Sequence, residues 1–191
     1  MIRVLLPALA LAASLPTAAL ADQVIAVAPF KSLELHGGGV ATLRHGDHQR
    51  VELIKGDPAI AEIKVVGDGK LLLSPCDSGK NWCWGPHELE VVVTTPAIAA
   101  IAVHGGGELK AEGNFPRQSS LALSVHGGGD ADVRAIPADT VAAAVHGGGD
   151  AEVRAERTLA ADVHGGGDVR YWGHPAVTSS TNGGGSVESG E

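Results

Sequence analysis

The sequence predicts an all-β fold: a cleaved secretory signal followed by a single parallel β-solenoid. Three observations predict it. The tetrad His-Gly-Gly-Gly recurs at His36, His104, His126, His146 and His164, with Asn182-Gly183-Gly184-Gly185 as a degenerate copy. From His104 onward the spacings are 22, 20, 18 and 18 residues, a period near twenty in which turns absorb insertions. That period is too short for propeller blades or helical hairpins. The segments around each tetrad alternate apolar and polar residues, and aromatics are only 3% of a chain holding 27 glycines, so the apolar content is Ala, Val, Leu and Ile. Small and β-branched residues suit narrow interiors built from strands.

Residues 1–21 read as a signal peptide. Arg3 gives a positive start, Val4 to Leu15 an apolar run, Pro16 a break, and Ala19-Leu20-Ala21 small residues before a mature start at Asp22. The run is short for a membrane span, and no later segment reaches that length. No cysteine follows the cleavage point, so a lipid anchor there is not expected.

The domain proper is expected over 22–182. Leu33 and Leu35 lead into His36. Arg50 to Lys55, Glu62 to Val66 and Lys70 to Ser74 read as short strands, punctuated by Gly46-Asp47, Gly56-Asp57 and Gly67-Asp68 turns. Glu90 to Thr94 restarts the apolar pattern. Each later repeat reads as strand, glycine corner, strand, turn: Leu121 to Val125 before His126, then Asp130 to Arg134; Val141 to Val145 before His146, then Asp150 to Arg154; Leu159 to Val163 before His164. Pro137, Arg157 and Pro175 fall in the turns. Residues 183–191 are polar and rich in Gly and Ser, a tail or terminal cap.

These features resemble the putative auto-transporter adhesin head domain family, also called the GIN domain. The resemblance rests on the Gly46-Asp47 and Gly67-Asp68 turns, on Leu71-Leu72-Leu73, on Val91 to Pro96, and on serial corners ending in an acid: Gly129-Asp130, Gly149-Asp150 and Gly167-Asp168. It covers about residues 25–175. It implies a right-handed parallel β-helix, a hand that also follows the rule for parallel connections. Family corners usually read Ser-Gly-Ser-Gly-Asp, whereas this chain places His first and Gly third. The resemblance implies adhesion and no catalytic residue.

Charge narrows the partners. The net charge is −8, and removal of Arg3 with the signal makes it −9. Phosphate neutralisation needs Lys and Arg, so nucleic acid is excluded and anionic lipid disfavoured. Cys76 and Cys83, in a chain bound for an oxidising compartment, read as a local disulfide, with a metal pair or a free thiol as alternatives. No nucleophile elbow, phosphate loop or H-E-x-x-H helix occurs, so no catalytic residue is expected.

The histidines carry the sharpest chemical question. If Leu121, Leu123 and Val125 point inward, His126 points outward, and the same parity turns His36, His104, His146 and His164 outward. Stacked repeats would then make a column of imidazoles one strand spacing apart. Adjacent rings cannot both protonate cheaply, so their average pKa should fall. His104, His126, His146 and His164 are therefore candidate ligands for Zn, Cu or Ni, against the plainer reading of a stacked polar ladder. No other cofactor is implied.

Asp130, Asp150 and Asp168, with Glu108 equivalent, suggest an acidic column neutralised by Arg134, Arg154 and Arg170 on the same face; a Ca²⁺ site is the alternative. Trp82 and Trp84 flank Cys83 and could stack on a glycan or anchor a protein partner, or, with Tyr171-Trp172, cap an open end. The leading expectation is a non-catalytic periplasmic or secreted protein for adhesion to an envelope protein or glycan. A periplasmic metal-binding protein is the alternative, and a carbohydrate-active enzyme a distant third. The sequence leaves the oligomeric state open.

Overall fold

The computed structural model describes residues 23–76 and 87–190. The expected signal peptide therefore lies outside the described residues, as do Cys83, Trp82 and Trp84. In chain order the strands are β1 (Gln23–Ile25), β2 (Ser32–Gly37), β3 (Val40–His45), β4 (Arg50–Lys55), β5 (Glu62–Val66), β6 (Lys70–Ser74), β7 (Glu90–Thr95) and β8 (Ala100–Gly105). Then come β9 (Glu108–Glu112), β10 (Gln118–Gly127), β11 (Asp130–Asp132), β12 (Ala138–Gly147), β13 (Ala151–Gly165), β14 (Val169–Trp172), β15 (Ala176–Gly183) and β16 (Val187–Ser189).

All sixteen belong to one mixed sheet, ordered β1-β4-β7-β3-β9-β11-β13-β12-β10-β8-β2-β6-β5, with β14, β15 and β16 attached beyond β13. The long strand β13 takes part in both halves of that path. The sheet thus doubles back around one core and forms a nearly closed, barrel-like wall. This corrects the expectation of a right-handed parallel β-helix. β4 runs antiparallel to both β1 and β7, and β5 antiparallel to β6. The order is also not sequential: β2 sits between β6 and β8, and β3 between β7 and β9. The physical reason is that strand alternation has no direction. Arg50–Lys55 buries Val51 and Leu53 equally well whichever way it runs.

From β8 onward the pairing is parallel and regular. β8, β10, β12, β13 and β15 lie side by side, with Val103, Val125, Val145, Val163 and Thr181 in register. The four valines are fully buried, as are Leu33, Leu35, Leu121 and Leu159 to within 1%. On the other wall β9, β11, β13 and β14 align Leu109, Ala131, Ala151 and Val169, also inward. One continuous core runs from Phe30 to Val169. Each fully buried Val or Leu contributes about 1.5–3 kcal/mol of hydrophobic stabilisation. Among the described residues Thr95 is the buried polar side chain; its Oγ1 donates to Ala97 O at 2.9 Å and accepts from Gln49 Nε2 at 3.3 Å.

The glycine corners explain how the repeats stack so closely. Gly147 has φ +132°, and a Cβ there would lie 2.2 Å from Gly127 O. At Gly149 a Cβ would lie 1.9 Å from Gly129 O. A Cβ on Gly148, between them, meets nothing within 4 Å. The first and third glycines of the tetrad are therefore required by the approach of the neighbouring repeat, and the second is not.

The acidic column is also built differently from expectation. Asp130 Oδ1 accepts the backbone N–H of Asp150 at 3.0 Å, Asp150 Oδ1 that of Asp168 at 2.9 Å, and Asp168 Oδ1 that of Ser186 at 2.7 Å. Each carboxylate ties its corner to the next. The arginines turn elsewhere: Arg134 to Asp132 and Glu152, Arg154 to Glu156, Arg170 to Glu152. Arg134 also lies 4.5 Å over the Trp172 ring.

Candidate functional site

The parallel register places His36, His104, His126, His146 and His164 side by side on the outer surface, followed by Asn182. Their parity follows from the buried residues immediately before them, Leu35, Val103, Val125, Val145 and Val163. From His104 to His164 the rings are stacked and nearly parallel, with centroids 4.9, 4.8 and 5.1 Å apart and interplanar angles of 3°, 7° and 2°. The first pair departs from this pattern. His36 and His104 are 4.8 Å apart but tilted by 56°.

The tilt coincides with a carboxylate. Glu34, two residues before His36 and on the same face, accepts a hydrogen bond from His36 Nε2 through Oε1. The same oxygen lies 3.5 Å from His104 Nε2, and the other oxygen, Oε2, is 2.5 Å from Lys70 Nζ of β6. Burial alone would push Glu34 up. The hydrogen bonds and charges of Lys70 and His36 outweigh it and hold the carboxyl below its ordinary value. Burial is the main cause that lowers His104; the charges of His36, His126 and Lys70 add to it and Glu34 opposes it. The expected downward pull of neighbouring rings is thus present at His104.

Glu34 and Lys70 were not singled out from sequence. Glu34 was findable, because it stands at the position relative to His36 that Asp162 holds relative to His164. Lys70 was not, since its approach depends on β6 pairing with β2.

Beside the ladder runs a trough of about 430 Å³ with an alanine floor: Ala100, Ala102, Ala122, Ala142, Ala144 and Ala160. Ser32, Glu34, Lys70, Ser124 and Asp162 supply its polar groups. The flatness has a direct cause. The outward position four residues before the histidine is Ala in four of the five repeats, and the position two before it is Ala or Ser in three, so the middle of the surface carries only short side chains. Among the described residues there is no free cysteine. Trp82, Trp84 and Cys83 lie outside the described residues.

Comparison with curated proteins returns no match. The solved structure of a putative adhesin from Bacteroides fragilis is similar at a TM-score of 0.52 and 18% identity, over 91% of this chain and 98% of that one. A putative adhesin from Parabacteroides distasonis gives a TM-score of 0.37 at 18% identity, over 88% of this chain and 95% of that one. A protein from the same species, described as a putative lipid binding protein, gives 0.38 at 13% identity, over 89% and 96%. Only the first likeness is close enough to speak to the fold. The profile of one family matches residues 29–120 and 105–175, which together span most of the chain. The chain belongs to the family described as "Putative auto-transporter adhesin, head GIN domain".

Proposed function

We propose that this protein is a non-catalytic, exported adhesion-type protein that contacts an envelope protein or glycan through the outer surface carrying the histidines. The observation that carries this reading is the alanine-floored trough rimmed by Glu34, Lys70, Ser124 and Asp162. A contiguous apolar strip with a polar rim is the usual composition of an interaction surface. Family membership supports the adhesion class. Among the described residues no helix is long and apolar enough to cross a membrane.

Export is supported by Arg3, the Val4 to Leu15 run and the Ala19-Leu20-Ala21 site. The Cys76–Cys83 disulfide belongs to the same reading and is tested by the thiol count before and after reduction. The contact surface is tested by Ala142→Arg. Ala142 is exposed and its neighbours in register are Ala122 and Ala160. Purified protein should bind intact cells or isolated envelopes, and the arginine should abolish that binding while leaving the unfolding curve unchanged. Undiminished binding by the variant would remove the trough from the proposal. Recovery of the native chain from the cytosol, with its N-terminus at Met1, would refute export.

A second reading, metal binding by the outward histidines His104, His126, His146 and His164, is favoured by one observation: the strand register lines them up on one outer face. Neutral imidazoles are ligands for Zn, Cu and Ni.

A further inference from the structure

We infer that Glu34, His36 and His104 form a three-ligand site for a divalent transition ion of the zinc or copper class, at the tilted end of the histidine ladder. The inference rests on the metal-binding reading above and moves its centre to one end of the ladder, keeping His104 and adding Glu34 and His36.

The regular part of the ladder sets the contrast. Parallel rings related by a translation of about one strand spacing carry their like nitrogen atoms the same distance apart. Between His104 and His164 that distance is set by centroid separations of 4.8 to 5.1 Å. An ion with metal–nitrogen bonds of about 2.0–2.1 Å can bridge two nitrogens no more than about 4.2 Å apart. Two adjacent stacked rings therefore cannot share an ion as they stand, and bringing their nitrogens together requires turning a ring out of the stack.

At the His36 end that turn is already present, since His36 is rotated 56° from His104. The rotation aims its Nε2 at Glu34 Oε1, which also lies 3.5 Å from His104 Nε2. The donor atoms of the three residues all fall within 4.8 Å of one another, so a small further rotation of one ring brings them around a single ion. Two imidazoles and one carboxylate are a donor set that zinc and copper accept. Lys70 engages Oε2, so Glu34 Oε1 remains directed at the two rings. A second group that orients a ligating carboxylate is a usual feature of metal sites. Lys70 also places a positive charge nearby, which weakens cation binding and sets the expected affinity below that of a closed structural site. The side chains of His36 and His104 are 43% and 38% exposed, so an ion can enter directly and a fourth position faces solvent.

The test is a calorimetric titration of the untagged protein with Zn²⁺ and, separately, Cu²⁺, near neutral pH. One ion per chain should bind at about micromolar affinity, a strength ordinary for an accessible site. His36→Ser, His104→Ser and Glu34→Gln should each weaken binding tenfold or more. His146→Ser and His164→Ser should leave it unchanged. All five variants are checked by circular dichroism and urea unfolding. Glu34→Gln removes one charge and no bulk, so it supplies the decisive comparison if a histidine variant unfolds. Binding that falls with His146→Ser and survives Glu34→Gln would overturn this placement while keeping the metal-binding reading. Absence of binding by the unaltered protein would overturn both.

Discussion

Alanine substitutions along one glycine corner should give opposite results at adjacent positions. In Gly147→Ala the new Cβ would sit 2.2 Å from Gly127 O, where carbon–oxygen contacts normally begin at about 3.3 Å. The repeats must then separate locally by about 1 Å. Gly127 O accepts hydrogen bonds from Gly148 N at 2.8 Å and Gly149 N at 3.1 Å. That separation would stretch both past useful length, at about 1 kcal/mol each. A side chain at φ +132° adds about 1–3 kcal/mol of backbone strain. The expected loss is about 3–5 kcal/mol, a large part of the 5–15 kcal/mol typical of a domain. At Gly148 the added methyl meets nothing within 4 Å. Gly148→Ala should be neutral or stabilise by about 0.4–1 kcal/mol through the unfolded chain. Urea unfolding followed by circular dichroism, with unchanged m-values, measures both. A loss below about 1 kcal/mol at Gly147, or equal losses at the two positions, would refute the close-approach argument.

Two further outcomes follow from the corners and the charged wall. Asp150→Ala removes the acceptor of the Asp168 N–H, and should cost about 1 kcal/mol in urea unfolding, whereas Asp150→Asn keeps an acceptor and should cost less than half of that. For Asp132, burial raises the carboxyl but the Arg134 hydrogen bonds and charge outweigh it, so its folded pKa is depressed. Its contribution is then present above the unfolded value of about 3.9 and is lost as pH falls through the folded value. Asp132→Asn should accordingly melt below the unaltered protein at neutral pH and converge with it near pH 3 or lower; a constant gap across that range would show that the carboxylate charge is not the cause.

What could be read from the sequence was whatever depends on side-chain parity and spacing. The tetrads at His126, His146 and His164 align in register because successive spacings bring each histidine back to the same place on the wall. The outward turn of the histidines follows from Val125, Val145 and Val163 pointing in. Direction and neighbour order could not be read that way. The alternation of Arg50–Lys55 is the same forward and reversed, so its antiparallel course was invisible. Parity places His36 in the column, but nothing in the long interval before His104 shows which strands flank β2. The Glu34–Lys70 pair depends on that same rearrangement. The arginines were misplaced for a different reason. Asp130, Asp150 and Asp168 spend their oxygens on backbone N–H groups, a partner that every residue offers and no sequence pattern advertises.

The position of β2 and β3 makes the two ends of the chain unequal. Beyond β9 each repeat pairs only with the repeat before and the repeat after, so removing residues from the C-terminal side strips repeats one at a time and leaves a shorter stack with the same inner wall. Ser32–Gly37 and Val40–His45 instead act as a keystone: they are made early and seated between strands made later. Neither segment has both edges paired until the later neighbour, β8 or β9, has been made. Closing such long intervals is the slow kind of event in folding. A chain that emerges N-terminus first can pair β2 with β6 and β3 with β7, but each keeps one edge open until β8 and β9 have appeared, and only then can the repeats add in order.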